Sequence, residues 1–167
     1  MYQSASKLAL FAALLFTAAG CSSDKDVQPE RRFISFQMNG KIMLSEQRNK
    51  AAYRPGNLSD TDPTNDQANL LIMGFTYGKD VISIEITGAG EQLTPGVYTS
   101  DQPGNAFLLE KFSTIELIKA DETTGSWSVT IHQVKDGLAI GEFTGVAVSQ
   151  DMGTIHPITA GYFKLKY

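Results

Sequence analysis

The sequence predicts an all-β protein: a single antiparallel β-sandwich or, as the alternative, a small up-and-down or calycin-like barrel. Two observations carry this prediction. Apolar and polar residues alternate with a period of two over much of the 167-residue chain, as they do in half-buried strands. Turn residues separate the alternating stretches at intervals of about ten residues, which indicates about eight to ten strands. No long segment after residue 21 has a helical period.

The alternation assigns a buried face to each predicted strand. In the stretch 126–132, Trp127 shares a face with Val129 and Ile131, so we expect the tryptophan in the core. Residues 69–77 are more uniformly apolar and indicate a central strand. The clearest alternation occurs in four stretches: 33–38, 80–87, 126–132 and 161–167.

Turn chemistry marks where these strands end. Asn39 and Gly40 join two apolar runs and predict a tight hairpin, because both positions of a type I′ turn need positive φ. Gly141 and Gly145 lie inside a later strand and indicate a bulge, a bend or an aromatic ring across the bare backbone. Residues 54–67 are rich in proline and aspartate and predict a long exposed loop.

The N-terminus has the pattern of an export signal. Lys7 precedes a mostly apolar run, 8–19, which is too short to cross a hydrocarbon core that needs about 20 helical residues. Small residues stand directly before Cys21, the only cysteine, and resemble a bacterial lipobox, although Ala18 stands where that motif favours leucine. The resemblance implies diacylglycerol on the Cys21 sulfur, cleavage before it and acylation of the new amine. The alternative is an ordinary secretory signal beside a free thiol.

The residues after Cys21 are polar and predict a flexible leash between lipid and domain. The acidic run 22–26 resembles the surface-export tethers of Bacteroidetes-type lipoproteins. The predicted organisation has three parts: a signal peptide (1–20), the lipidated cysteine with its tether (21–31) and a β-domain (32–167).

The lipobox, the acidic tether and three strand-and-turn segments (36–41, 141–145 and 158–165) together resemble one group of proteins. These are the small uncharacterised β-rich outer-membrane lipoproteins of Bacteroidetes-type bacteria. The resemblance implies an all-β fold anchored in the outer membrane, facing the periplasm or the cell surface. It implies no reaction and no catalytic residues.

Composition limits the partners and the chemistry. A formal charge of -4 argues against a nucleic-acid surface, and one cysteine excludes an intramolecular disulfide. An acidic domain is not drawn to an anionic membrane, so the N-terminal lipid would hold it there. We expect no cofactor, because the sequence carries no phosphate-binding glycine loop and no cofactor fingerprint.

Metal sites have weak candidates. Asp60, Asp62 and Asp66 concentrate oxygen ligands of the kind calcium uses, but a solvated turn is the simpler interpretation of an acidic loop containing proline. The two histidines alone are too few for a zinc site, so carboxylates would have to complete the ligand set. We expect His132 on the polar face of its strand and His156 in the loop before the proline that follows it.

Enzyme chemistry is the least favoured class, since the common nucleophile and metalloprotease motifs are missing from the sequence. Only Glu85 and Glu142, two strand carboxylates, could face a groove. The leading hypothesis is a non-enzymatic envelope lipoprotein whose β-domain contacts a protein or surface polymer. The alternative is a small-ligand or glycan-binding lipoprotein with a pocket in a barrel. Four tyrosines are the better candidates for an exposed patch, although each is also an ordinary strand residue: Tyr53, Tyr77, Tyr98 and Tyr162.

Overall fold

The computed structural model describes residues 30–167, so the predicted signal peptide, Cys21 and nearly all of the tether lie outside the described residues. The all-β antiparallel prediction is confirmed. The only helical element in the described part is a single 3-10 turn, Pro63–Asn65. The strands are β1 Phe33–Met38, β2 Lys41–Ser45, β3 Gln47–Arg54, β4 Gln67–Phe75, β5 Val81–Ala89, β6 Gly96–Thr99, β7 Ala106–Lys111, β8 Glu116–Ala120, β9 Ser126–Lys135, β10 Leu138–Ser149 and β11 Ile155–Lys166.

The strands form one sheet that curls into a nearly closed barrel. Its order is β2-β1-β11-β10-β8-β7-β5-β4-β3, while β9 pairs with β10 and β6. Only Glu46 separates β2 from β3, so one interrupted strand pairs with β1 through its first half and β4 through its second. Short interruptions, residues 100–105 and 121–125, also separate β6 from β7 and β8 from β9. Because β6 pairs with β9 as β7 pairs with β8, each of these two pairs also acts as one interrupted strand, which reduces eleven strands to eight. This is the order of the up-and-down barrel, the second of the two predicted arrangements.

Side chains fill the interior of the barrel. Phe36 meets Phe107 edge to face at 5.5 Å between ring centroids, and Phe143 packs against both rings and against Phe163. Trp127 is 3% exposed, which confirms its predicted place in the core. The predicted inward faces of the alternating strands are therefore the packed centre of the barrel.

Two glycines let rings lie directly on the backbone of β10 and β11. A Cβ on Gly141 would lie 2.6 Å from Cζ of Phe163, and one on Gly161 would lie 2.5 Å from Cδ2 of Phe143. The pairing of β10 with β11 also shifts register next to Phe143. Of the three features predicted as alternatives for this strand, a bulge, a bend or an aromatic ring across bare backbone, the first and the last are both present.

Alternate turns place the connections at two ends of the barrel. The end formed by the β1–β2, β4–β5, β7–β8 and β10–β11 turns is called the upper end below. The opposite end carries the long loop 55–66, as predicted, where Tyr53 packs against Tyr167 with ring centroids 5.2 Å apart. The upper-end turns are residues 39–40, 76–80, 112–115 and 150–154.

Candidate functional site: an aromatic groove and a buried polar cluster

The upper end of the barrel exposes most of the large apolar side chains that the described residues leave in solvent. Seven of these ten side chains lie in its turns or within two residues of them. Single exposed apolar residues are normal on a protein surface, but the described residues concentrate them at this end of the barrel. The seven are Ile42, Phe75, Tyr77, Phe112, Ile115, Met152 and Ile155.

Three of the seven, Phe75, Tyr77 and Phe112, line an open cavity of about 390 Å³. This cavity, with the residues that line it, is called the aromatic groove below. Its volume falls within the ~300–1,000 Å³ range of small-ligand pockets, and it combines apolar walls with a few polar groups as such pockets do. The polar and charged side chains that line it are Glu46, Gln47, Arg48, Thr76 and Lys79.

A bulge in β3 brings Arg48 to the groove. The pairing of β3 with β4 shifts register between Gln47 and Lys50, and Arg48 has a φ of 57°. A non-glycine residue in this left-handed region costs about 1 kcal/mol or more, and bulges next to functional sites re-aim side chains. The backbone is therefore strained at the one arginine that lines the groove.

Glu46 and Lys79 fix the walls of the groove. The carboxylate of Glu46 forms an ion pair with Arg31, and its Oε2 accepts a 3.2 Å hydrogen bond from the Tyr77 hydroxyl. The Lys79 ammonium lies 5.5 Å from the centroid of the Phe112 ring, within cation–π range. The last two of these contacts each involve one of the three exposed rings.

A second group of side chains, called the polar cluster below, is buried at the same end of the barrel. Glu116, Ser149 and His156 are 6%, 1% and 5% exposed. The Lys111 ammonium lies 3.2 Å from Oε2 of Glu116, and the Asn39 amide donates to Nδ1 of His156 at 2.9 Å. The expectation for His156 is wrong: it lies in β11 rather than in a loop, and its ring points into the barrel.

The polar cluster has the residue types of a hydrolase triad without its geometry. His156 Nε2 faces Oε1 of Glu116 at 3.8 Å, too far for a direct hydrogen bond, and Nδ1 is occupied by Asn39. Burial raises the pKa of Glu116, but the neighbouring Ser149 hydroxyl and the charge and hydrogen bond of Lys111 outweigh burial and lower it. Because the charged carboxylate is stabilised in a buried position, the cluster fits a structural role better than a solvent-facing catalytic one.

The aspartates predicted as weak metal candidates organise their own loop. Asp60 accepts a 2.9 Å hydrogen bond from the Asp62 amide, and Asp62 accepts from the amide and hydroxyl of Thr64, capping the 3-10 turn. Hydrogen bonds from Asp62 and Asn65 lower the pKa of Asp60, and those from Thr64 lower the pKa of Asp62. Asp66 ends the 3-10 turn. Within residues 30–167, no three histidine, cysteine, aspartate or glutamate side chains form a group that could hold a metal ion.

The four candidate tyrosines have different surroundings. Tyr77 is 71% exposed and lines the groove, whereas the Tyr53 hydroxyl accepts from the Leu93 amide. The Tyr98 hydroxyl bonds to the backbone of Thr94. Tyr162 stacks on a neighbouring ring of β1, 5.4 Å between centroids.

The histidine and carboxylates predicted for strand surfaces lie on the outside. His132 and Glu142 approach each other to 3.5 Å on the exposed face of neighbouring strands, as expected for His132. Glu85, also exposed, accepts a 2.8 Å hydrogen bond from Asn69.

The groove residues Phe75, Phe112 and Arg48 were missed in the sequence because each looked like an ordinary strand-end residue. The only signal available was that aromatic residues flank two tight turns.

Within residues 30–167, no helix has the length and apolar character needed to cross a membrane. No protein-family model, curated protein or solved structure matches this chain.

Proposed function

We propose that this chain is a non-enzymatic, lipid-anchored protein of the bacterial cell envelope, held by Cys21 in the outer membrane on its periplasmic or cell-surface face. Its barrel presents the aromatic groove to a protein or a surface polymer. The lipobox-like residues before Cys21 and the polar tether after it support the anchor. The non-enzymatic interpretation follows from the sequence, which lacks the common catalytic motifs.

The observation that carries this proposal is the exposure of three aromatic side chains around one cavity. Phe75, Tyr77 and Phe112 are 38%, 71% and 66% exposed, although burial of each would favour folding. Their position at one end of a rigid barrel suits display towards a partner. The alternative, a pocket inside the barrel, has less support, because phenylalanine side chains occupy the interior.

Lipidation is tested on the full chain expressed in a bacterium that processes lipoproteins, with a clickable palmitate analogue in the medium. We expect the wild type to be labelled, to have the intact mass of a chain cleaved before Cys21 and acylated there, and to fractionate with membranes. Cys21→Ser is expected to lose the label and leave the membrane fraction. A wild-type product with an unmodified cysteine would overturn the anchor.

Display is tested by photo-crosslinking in intact cells. A photoreactive residue at Thr76, in the aromatic groove, is compared with one at Asp136, in the turn between β9 and β10 at the opposite end. We expect a defined crosslinked product from Thr76 alone. Equal products from both positions, or none from either, would overturn the assignment of the groove as the presented surface.

A further inference from the structure

We propose that the aromatic groove binds an acidic saccharide, with a sugar ring stacked on Tyr77 or Phe112 and its acid group paired with Arg48 and Lys79. This inference rests on the proposed function and names the chemical class of its partner. It is carried by two features of the groove: its exposed rings and its excess of positive charge.

The rings offer the kind of surface on which sugars bind. The apolar C–H face of a pyranose packs against an aromatic face, whose electron-rich surface attracts those hydrogens. Tyr77 and Phe112 are mostly exposed and come from two different turns, so a ligand can lie across both. The fixed carboxylate of Glu46, beside Tyr77, supplies an acceptor for sugar hydroxyls.

The charge of the groove indicates an acid on the ligand. Glu46 is countered by Arg31, which leaves Arg48 and Lys79 as the uncompensated charges that line the cavity. Among the described residues Arg48 has no acidic partner, and Lys79 contacts the face of Phe112 instead of a carboxylate. In a chain of net charge -4, two cations facing one cavity favour an anionic ligand, and arginine pairs with a carboxylate bidentately.

The pairing of the strands limits where an extended peptide could bind by strand addition. Peptides commonly bind by adding a strand to a free sheet edge. β4, β5 and β7 are each paired on both sides, whereas β3, which supplies Gln47 and Arg48, is paired with β4 alone and ends the sheet order. Among these four strands, backbone addition is therefore open only along β3, whereas the exposed rings of Tyr77 and Phe112 come from turns.

The ligand class is tested by calorimetric titration of the full-length protein purified in detergent. The probes are tetragalacturonate, its methyl ester, an alginate tetramer and a chondroitin sulfate tetrasaccharide. We expect at least one acidic probe to bind, tetragalacturonate to bind at least tenfold more tightly than its ester if it binds, and affinity to fall with added salt. Absence of binding by all the acidic probes at millimolar concentration would overturn the proposal. So would binding of an acidic tyrosine-containing peptide in their place.

Matched variants locate the binding. Arg48→Glu is expected to lower the affinity for the best acidic probe more than tenfold. Arg54→Glu makes the same change at an exposed residue at the far end of β3, and its affinity is expected to stay within twofold of the wild-type value. Phe112→Ala is expected to lower the affinity for the same probe to a similar extent, and Ile155→Ala is its control. Equal effects within either pair would exclude the groove. A Cys21→Ser protein that keeps its affinity separates failure of the anchor from failure of this inference.

Discussion

The polar cluster and the aromatic groove lie at the same end of the barrel and reverse the usual distribution of side chains in opposite ways. The cluster buries Glu116, Ser149 and His156, while the groove leaves Tyr77 and Phe112 in solvent. Folding alone favours neither arrangement. The cluster is partly compensated inside the chain by Lys111 and Asn39, although the facing atoms Glu116 Oε1 and His156 Nε2 have no hydrogen-bond partner within residues 30–167. In the groove, Tyr77 contacts Glu46 and Phe112 contacts Lys79, but most of both rings stays in solvent.

The partners in the cluster come from separate turns. Asn39 belongs to the β1–β2 turn, His156 begins the inward face of β11, and Glu116 begins β8 beside Lys111. The backbone N–H of Asn39 also donates a hydrogen bond to the carbonyl oxygen of Pro157, with 3.3 Å between nitrogen and oxygen. The cluster therefore ties three turns of the upper end together, which leaves the neighbouring groove on a rigid support.

Among substitutions in the polar cluster and the aromatic groove, the largest effect is expected from Glu116→Ala. It leaves Lys111 and His156 without their anionic neighbour in a buried site, which predicts a loss of about 2–4 kcal/mol in the free energy of unfolding. Urea denaturation followed by Trp127 fluorescence measures it. Glu116→Gln, which keeps the shape of the side chain, is the matched control and is expected to lose less of the free energy of unfolding. A loss below ~0.5 kcal/mol for Glu116→Ala would show that the cluster contributes little to the free energy of unfolding.

Acid is expected to have the next largest effect. The pKa of Glu116 is lowered in the folded protein, so its contribution to stability is present above about pH 4.5 and is lost as the pH falls below that value. Asp121 serves as a reference outside the cluster. Burial raises its pKa, but hydrogen bonds from Lys119 and Thr123 outweigh burial and lower the pKa to about 2. Its contribution, up to about 2 kcal/mol, is lost between about pH 4 and pH 2.

Urea titrations between pH 6 and pH 2 separate the two carboxylates. Glu116→Gln is expected to flatten the decline that begins near pH 4.5, and Asp121→Asn the decline at lower pH. Tyr77→Ala, in the groove, is expected to leave both declines in place, because Tyr77 is not among the groups that lower the pKa of Glu116 or Asp121. An unchanged profile in Glu116→Gln would contradict the assignment of a stabilising charge to the cluster.

Much of the fold followed from the sequence because the faces of strands are set by local alternation. Trp127 was placed in the core from its neighbours alone, and the Asn39-Gly40 turn has the positive φ values it requires. His156 was misplaced because the proline after it suggested a loop. Pro157 is tolerated in β11 because it lies just past the last residue pair with β1, where its missing N–H breaks no ladder bond.

The groove could not be derived in the same way. Its residues come from β3, the β4–β5 turn and the β7–β8 turn, and strand order rather than local pattern brings them together. Tyr77 was among the predicted candidates because an exposed turn tyrosine is visible in the sequence. Arg48 was not, since its role depends on a bulge that appears only once β3 is paired with β4.

The smallest effect is expected from Phe112→Ala, and it gives the sharpest test of the comparison. Phe112 is 66% exposed and Phe107, on the preceding strand, is fully buried, so the same truncation probes both environments. We expect Phe107→Ala to lower the free energy of unfolding by about 3–5 kcal/mol and Phe112→Ala to change it by less than about 0.5 kcal/mol. Urea denaturation of both variants measures the difference. If Phe112→Ala cost more than about 1 kcal/mol, its contact with Lys79 would be stabilising the turn, and the contrast between the exposed ring and the buried ring would be lost.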